Sequence, residues 1–415
     1  MSRGICSRQR VRLGPVEQAR PTSTQVKRTR VYHVRNNDPR VVCLASGDKG
    51  GLKLLEWSGK LIPQGPLVKT AKLAWKQVWL TFMQELAPQS QKGEYKRPTY
   101  QFNGRIGDPE FPVEPGRYAI LVGNPCPWCH RVVMMLQLRG LDEIISTVNL
   151  LDDPERASRG GWILQGNDAY FGASYADLRQ VYDDFSPGKS YVGRCTAPLV
   201  VDMKQKRIVS NESSEILKML NEIHIEGTTR NINLRPADLV DRIDSLNAQL
   251  FDKVNNGVYK CGFATTQSAY DESYTSLYET LSLLDRTLSK QRFLLGNKFT
   301  EADLRLFPTA VRFDAVYATL FKCTKRWSEH PNLTRWLRDC AQIPLASHVA
   351  SSEKKTLAST VDIDDCRRSY FLQLFPLNPG GIIPGGPTAA DILAASENKL
   401  DQSLSLEDDY DDIFF

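Results

Sequence analysis

Two rhythms of apolar and polar positions divide this chain. Residues 118–122, Tyr-Ala-Ile-Leu-Val, form an unbroken apolar run that reads as a buried strand. Apolar positions then recur at helical spacing over residues 127–139 and stop at Gly140, and residues 144–150 read as a second strand. Residues 152–193, rich in Gly, Asp and aromatics, keep no period and read as irregular. "APLVVD" (197–202) and "RIVS" (207–210) predict a hairpin about residues 203–206, with a helix over 213–222 directly after it. From Asp238 onward the rhythm is helical, with Tyr270, Tyr274, Leu277, Leu281, Leu284 and Leu288 at three- and four-residue steps. Thr300-x-x-Asp303 has the spacing of a capping box, Phe299 that of its hydrophobic staple, and helices are expected over 304–321 and 332–341. Upstream, residues 68–86 place Trp75, Trp79 and Phe82 or Met83 on one side of an amphipathic helix expected to pack that aromatic stripe on the main body. Beyond Phe371, "PLNPGGIIPGGP" denies regular structure, and the tail from Thr388 is expected to be mobile apart from a short helix at "AADILAAS".

A chain of 415 residues, 41% hydrophobic, can bury a sizeable core and suggests two or three domains. No apolar run approaches the ~20 residues of a membrane span. Nine irregularly spaced cysteines make no disulfide framework and suit a reducing compartment. Cys126 and Cys129 are the close pair, and without a second Cys-x-x-Cys or a His-x-x-x-His no metal is expected. The net charge of +5 is unevenly placed, Arg-rich before residue 45 and acidic in the closing "LEDDYDDIFF", so the near-neutral body offers no nucleic-acid footprint. The basic, hydroxyl-bearing, acid-poor start lacks the apolar stretch of a secretory signal. With "RVVCLAS" at 40–46 it predicts a transit peptide over 1–45 and import into the chloroplast stroma, with mitochondrion or cytoplasm as alternatives.

The strand-to-helix junction places Cys126 beside the unpaired N–H groups that open a helix, at the positive end of its dipole. Pro127 suits the first helical position. A thiol so placed is acidified from ~8.5 into roughly 3.5–7.5; two units correspond to about 2.7 kcal/mol in favour of the thiolate. Arg131 could add to this. Cys129, one turn on, is either a resolving thiol or a small buried residue without chemistry, and His130 reads as a helix-surface or interface residue. Thr196-Ala197-Pro198 before a strand suits a cis-proline loop in which the Ala197 backbone pairs with a peptide's cysteinyl portion. Glu212 and Ser213 open the next helix; the helix start can take a carboxylate and Glu212 an ammonium, as an α-amino acid head group such as the γ-glutamyl end of glutathione requires. Plain helix capping is the competing reading of that pair.

Strand, helix, strand, hairpin and helix is the order of a thioredoxin-like domain, and an all-helical unit after it is the architecture of soluble glutathione transferases. The expected fold class is therefore α/β followed by all-α, with a lead-in over 46–101, a thioredoxin-like domain over 102–226, a helical domain over 235–387 and an acidic tail over 388–415. "CPWCHR", "GGW" (160–162), "YVGRCTAPLVVD", "IVSNESSEI", "NNGVYKCGFA" (255–264), "DLRLFPTAVRFDAVY" (303–317), "FKCTKR" and "NPGGIIPGGP" together resemble the glutathionyl-hydroquinone reductases, or Xi-class glutathione transferases, over about two thirds of the chain. The resemblance implies glutathione-dependent reduction of glutathionyl-hydroquinones through a Cys126–glutathione mixed disulfide, with release of glutathione disulfide. It implies that Trp162, Arg194, Ala197, Pro198, Glu212 and Ser213 hold glutathione. Tyr259 and Tyr317 would line an aromatic pocket with Arg312 nearby, and the protein would be a homodimer acting on aromatic conjugates. A glutaredoxin-like deglutathionylase or dehydroascorbate reductase and a non-catalytic binder of aromatic ligands are the alternatives. The sequence departs from the family at Cys129, where many members have Ala, and at "QFNGRIGD", where an Arg/Phe–Trp-rich segment is common.

Overall fold

The computed structural model describes residues 64–98, 101–153, 161–164, 171, 174–226, 230, 232–346 and 355–394. The expected transit peptide (1–45), most of the lead-in before Gln64, Gly160 of "GGW" and the acidic end of the tail lie outside the described residues. The chain divides after Val68 into a leading unit and a main unit. Of the leading unit only residues 64–68, the start of the first helix, are described.

In the main unit the sheet forms where the apolar runs stand. Strands β1 (Tyr118–Gly123), β2 (Ser146–Asp152), β3 (Trp162–Leu164), β4 (Leu199–Asp202) and β5 (Arg207–Ser210) lie in the order β3-β2-β1-β4-β5. β1 runs parallel to β2 and antiparallel to β4, and the β4–β5 and β2–β3 pairs are antiparallel. β1 is buried along its whole length because both faces are covered. Tyr118, Ile120 and Val122 face the core that holds Met134, Met135, Ile216 and Leu220, while Ala119 and Leu121 face a smaller cluster with Val181, Tyr182 and Phe185. The first core is built by α2 (Pro127–Arg139) and α4 (Ser213–Glu222), the second by α3 (Leu178–Phe185). Gly140 ends α2 in the left-handed region, its N–H donating to the carbonyl of Leu136.

Several boundaries differ from the sequence reading. β2 starts at Ser146 because Ile144 and Ile145 both donate their N–H to the Leu141 carbonyl, closing a tight turn first. The stretch read as irregular contains β3 and α3, the latter capped by Asp177 and buried through Leu178, Val181, Tyr182 and Phe185. The lead-in helix α1 spans Gln64–Leu86, but residues 68–78 are all exposed, including Trp75. Only its last two turns pack inward: Met83 is buried, Trp79 donates its indole N–H to the Pro376 carbonyl at 3.0 Å, and Phe82 meets Phe375 edge-on.

The helical region comprises α5 (Val240–Leu250), α6 (Gly257–Phe263), α7 (Gln267–Leu288), α8 (Glu301–Arg312), α9 (Pro331–Ala341), α10 (Ile363–Gln373) and the short α11 (Ala389–Leu393). The capping-box spacing is used as expected: the buried Asp303 carboxylate accepts from Thr300 N–H and Oγ–H, and also from Leu294 N–H and the Trp336 indole. Two π turns interrupt the helices, Phe251–Asn255 ahead of α6 and Phe313–Tyr317 after α8. One ends four residues before Tyr259 of α6 and the other carries Tyr317, so a widened turn adjoins or contains each candidate tyrosine. No described helix is long and apolar enough to cross a membrane.

Candidate active site

The Cys126 sulfur sits where the junction argument puts it. Cys126 is the N-cap of α2, with extended backbone, and its sulfur accepts the Cys129 N–H at 3.4 Å. Burial pushes the thiol up, but the Cys129 side chain, the N–H groups of Cys129 and Trp128 and the charge of Arg312 together pull it down to about 7. Cys129 shows the opposite balance: it is buried, and desolvation with the neighbouring Cys126 raises its thiol well above the usual range. At neutral pH Cys129 is therefore a protonated donor to Cys126 rather than a second nucleophile.

Arg131 points away from the thiol, donating to Asn255 Oδ1 at 2.8 Å and to the Arg305 carbonyl. The cation by the sulfur is Arg312, which the sequence reading set beside the aromatic pocket. Its guanidinium is 0% exposed and donates to the carbonyls of Asn124 (2.7 Å), Pro125 (3.0 Å) and Pro308 (3.0 Å). Its fourth partner is His130 Nδ1, at 3.0 Å. His130 is thus buried where α2 meets α8 and the Leu357–Thr360 turn, the interface position of the two expected for it. Since a guanidinium only donates, Nδ1 accepts, and Nε2–H donates to Thr360 Oγ1 at 2.7 Å. Burial and then Arg312 hold the imidazole well below its usual pKa, so it stays neutral.

The loop before Cys126 is also tied from outside. Asn124 Nδ2 donates to Asp365 Oδ2 (2.7 Å) and to the Asp362 carbonyl, and its Oδ1 accepts the Asp362 N–H at 3.0 Å. Asp362 is the N-cap of α10, so a late helix closes over an early loop. Arg368 and Gln373 of α10 extend the tie to Asp152 at the end of β2.

The expected tripeptide cradle is partly assembled. The Ala197–Pro198 bond is cis, and the Ala197 carbonyl lies 3.6 Å from the Cys126 sulfur. Trp162, half-buried on β3, lays its ring against Gly123; a Cβ there would come within 2.3 Å of the indole, which is why the strand ends in glycine. Glu212 caps the helix with one oxygen: its Oε1 accepts from Ser214 N–H at 3.0 Å and from the hydroxyls of Ser214 and Ser213. The plain capping reading of that pair is therefore realised, with Ser213 buried at the first position of α4. Arg194 is exposed, and its guanidinium is committed to the carbonyls of Glu85 and Leu86 at the end of α1.

On the helical side Tyr259 and Tyr317 do meet, their ring centroids 5.9 Å apart. Between their hydroxyls stands Tyr370 of α10, unmarked in the sequence reading, 2.5 Å from Tyr259 Oη and 3.3 Å from Tyr317 Oη. Phe321 stacks on Tyr317 at 5.3 Å. Burial raises the Tyr317 phenol to about 12 against the pull of Arg312, and raises Tyr259 and Tyr370 well above the usual range. All three are protonated donors at neutral pH. Trp128 joins this cluster to the thiol: its ring stacks toward Tyr259 and lies between Arg97 (4.0 Å) and Arg131 (4.5 Å). Arg97 belongs to the lead-in, so that segment contributes to the site.

A protonated hydroxyl cluster beside an acidic helix-cap thiol, on a thioredoxin-like sheet followed by helices, defines the class of a cysteine-type glutathione transferase. Two family models match accordingly: Glutathione S-transferase, N-terminal domain, over residues 125–223, and Glutathione S-transferase, C-terminal domain, over residues 267–339. Glutathionyl-hydroquinone reductase PcpF of Sphingobium chlorophenolicum is 39% identical over 319 residues, covering 75% of this chain and 94% of its own. Glutathionyl-hydroquinone reductase YqjG of Escherichia coli is 41% identical over 293 residues, covering 68% and 83%. Among solved structures, glutathione-S-transferase Xi from Phanerochaete chrysosporium matches with a TM-score of 0.65 at 34% identity, covering 74% of this chain and 97% of that one. The chain belongs to the glutathione transferase family, in the Xi-class branch of the glutathionyl-hydroquinone reductases.

Proposed function

We propose that this protein reduces glutathionyl-hydroquinones to hydroquinones at the expense of glutathione, with Cys126 as the nucleophile. The observation that carries the reading is a helix-start thiol drawn down to about 7, joined through Trp128 to a cluster of three protonated phenols. The activity named for the relatives supports it. The Cys126 thiolate attacks the glutathionyl sulfur of the conjugate, the carbon–sulfur bond breaks, and the electron pair stays on the ring carbon. A proton delivered through the hydroxyls of Tyr259, Tyr317 and Tyr370 completes the hydroquinone. A second glutathione thiolate then attacks the glutathione sulfur of the mixed disulfide, releasing glutathione disulfide and restoring the Cys126 thiolate. Trp162, Pro198, the Ala197 backbone and the α4 start with Ser213 and Glu212 form the glutathione side. Arg194 joins them if glutathione draws it from the end of α1. The test is stoichiometry: incubated with a glutathionyl-hydroquinone and glutathione, the protein should yield one hydroquinone and one glutathione disulfide per conjugate consumed. Conjugate left intact over many enzyme equivalents would sink the reading.

We also propose that the protein is imported into chloroplasts and works as a homodimer. The basic, acid-poor start supports import, and sequencing the native mature protein should find its N-terminus near residues 43–46, whereas an intact Met1 would exclude it. Light scattering of the purified protein at twice the chain mass would support the dimer, and a chain-mass reading at micromolar concentration would reject it.

A further inference from the structure

We infer that Arg312 is a positioning residue for the Cys126 thiolate: locked under the Asn124-Pro125-Cys126 turn by three carbonyls and a neutral imidazole, it is a buried cation whose countercharge is that sulfur. The geometry carries this. All four of its hydrogen bonds go to neutral acceptors, and no carboxylate pairs with it among the described residues. Buried arginines of this chain are satisfied in either way: Arg117 pairs with Asp202 at 2.6 Å and Arg335 with Asp339 at 2.8 Å, whereas Arg131 and Arg139 donate to carbonyls and an amide oxygen. A guanidinium taken out of water needs an anion or a strong set of dipoles. Arg312 has the dipoles in place, and an ionised Cys126 sulfur adds the anion.

The groups facing Arg312 narrow the choice of anion. His130 lends it a lone pair and no charge. Tyr317, Tyr370 and Cys366 also lie within its electrostatic reach, but burial pushes Cys366 up to about 11 and Tyr317 to about 12, and raises Tyr370 well above the usual range. Facing Cys126 besides Arg312 are Cys129 on its own helix and Tyr259 from α6, both protonated. The pair of carbonyl bonds to residues 124 and 125 fixes the turn that aims the sulfur, so one side chain both sets its direction and adds to the pull of Cys129 and the helix-start N–H groups on its charge. The same cation would favour Cys126 as the leaving group. When glutathione attacks the mixed disulfide, the sulfur–sulfur bond breaks and its electron pair returns to the Cys126 sulfur beside Arg312.

This deepens the proposed function but is tested without it, because alkylation by iodoacetamide needs neither glutathione nor a quinone. The rate of Cys126 alkylation, followed on its own peptide by mass spectrometry, should rise with pH through a midpoint about 7 in the wild type. In Arg312→Met the midpoint should move up by about one unit, a roughly fivefold slower reaction at pH 7, with the high-pH plateau unchanged. Arg312→Lys should restore most of the shift. If Arg312→Met does not fold, Arg312→Gln carries the same test. A folded Met or Gln variant with an unmoved midpoint would overturn the inference, as would a Lys variant shifted as far as the uncharged ones. Turnover failing in the wild type while these midpoints hold would count against the proposed substrate, not against Arg312.

Discussion

Cys126→Ser is expected to lower turnover of a glutathionyl-hydroquinone by roughly 10³-fold or more, while the folded protein still binds glutathione. The helix start that brings a thiol to about 7 cannot bring an aliphatic hydroxyl into the accessible range, so serine would need a general base. His130 is the imidazole nearby, but both its nitrogens are occupied, one by Arg312 and one by Thr360, and it is four residues along a helix that holds it buried. His130 is therefore not available to activate serine. Cys129→Ala should behave differently. It removes a donor to the Cys126 sulfur but no reacting atom, so activity at pH 7 should fall only a few-fold and the pH profile should shift upward. The sign follows from the thiolate being the reactive form: kcat/KM of the wild type rises with pH through about 7, and each unit of upward shift withdraws about 1.4 kcal/mol of thiolate preference. Loss at Cys129 as complete as at Cys126 would mean a dithiol mechanism.

The parts of this molecule that were legible in its sequence are those decided by local physics. A continuous apolar run had to be the doubly covered β1, Gly140 had to stop α2, and Thr300 with Asp303 had to open α8. Cys126, Pro198 and Ser213 were readable because each sits at the end of an element, where backbone groups are unpaired and chemistry has something to work with. What escaped depends on contacts distant in sequence. Arg312 lies 187 residues from the Pro125 carbonyl it holds, and no spacing rule links them. For His130 the helix pattern left surface and interface open, because it cannot foresee that α8 and the Leu357–Thr360 turn will cover it. Trp75 misled in the opposite direction: it keeps step with Trp79 along α1, yet the body ends before reaching it. Asn124 binds the N-cap of α10, 238 residues on, a contact no local pattern announces.

Tyr370→Phe is expected to cut kcat/KM for the conjugate by about 10–10²-fold while leaving Cys126 alkylation unchanged. The hydroxyls of Tyr259 and Tyr317 converge on that of Tyr370, so removing it takes away their shared partner without emptying the pocket, since a phenyl ring keeps the contacts to Tyr317 and Phe321 at 5.6 and 6.0 Å. The effect should fall on the first half-reaction, where the ring carbon must be protonated as its sulfur departs. Reduction of the mixed disulfide by glutathione involves no carbon and should proceed at the wild-type rate. Single-turnover measurements separate the two: mix enzyme with conjugate and follow hydroquinone release, then mix glutathionylated enzyme with glutathione and follow recovery of the free thiol. The pKa values explain why a cluster suits the task better than one phenol. Burial makes each tyrosinate costly, with Tyr317 held at about 12, and a hydroxyl that gives up its proton is stabilised by the neighbours still donating to it and by Arg312 close by. Tyr259→Phe should resemble Tyr370→Phe for the same reason, and the double variant should lose little more than either alone, because both break the one 2.5 Å bond. Fully additive losses would show that the two phenols act separately, and the shared relay would then be abandoned.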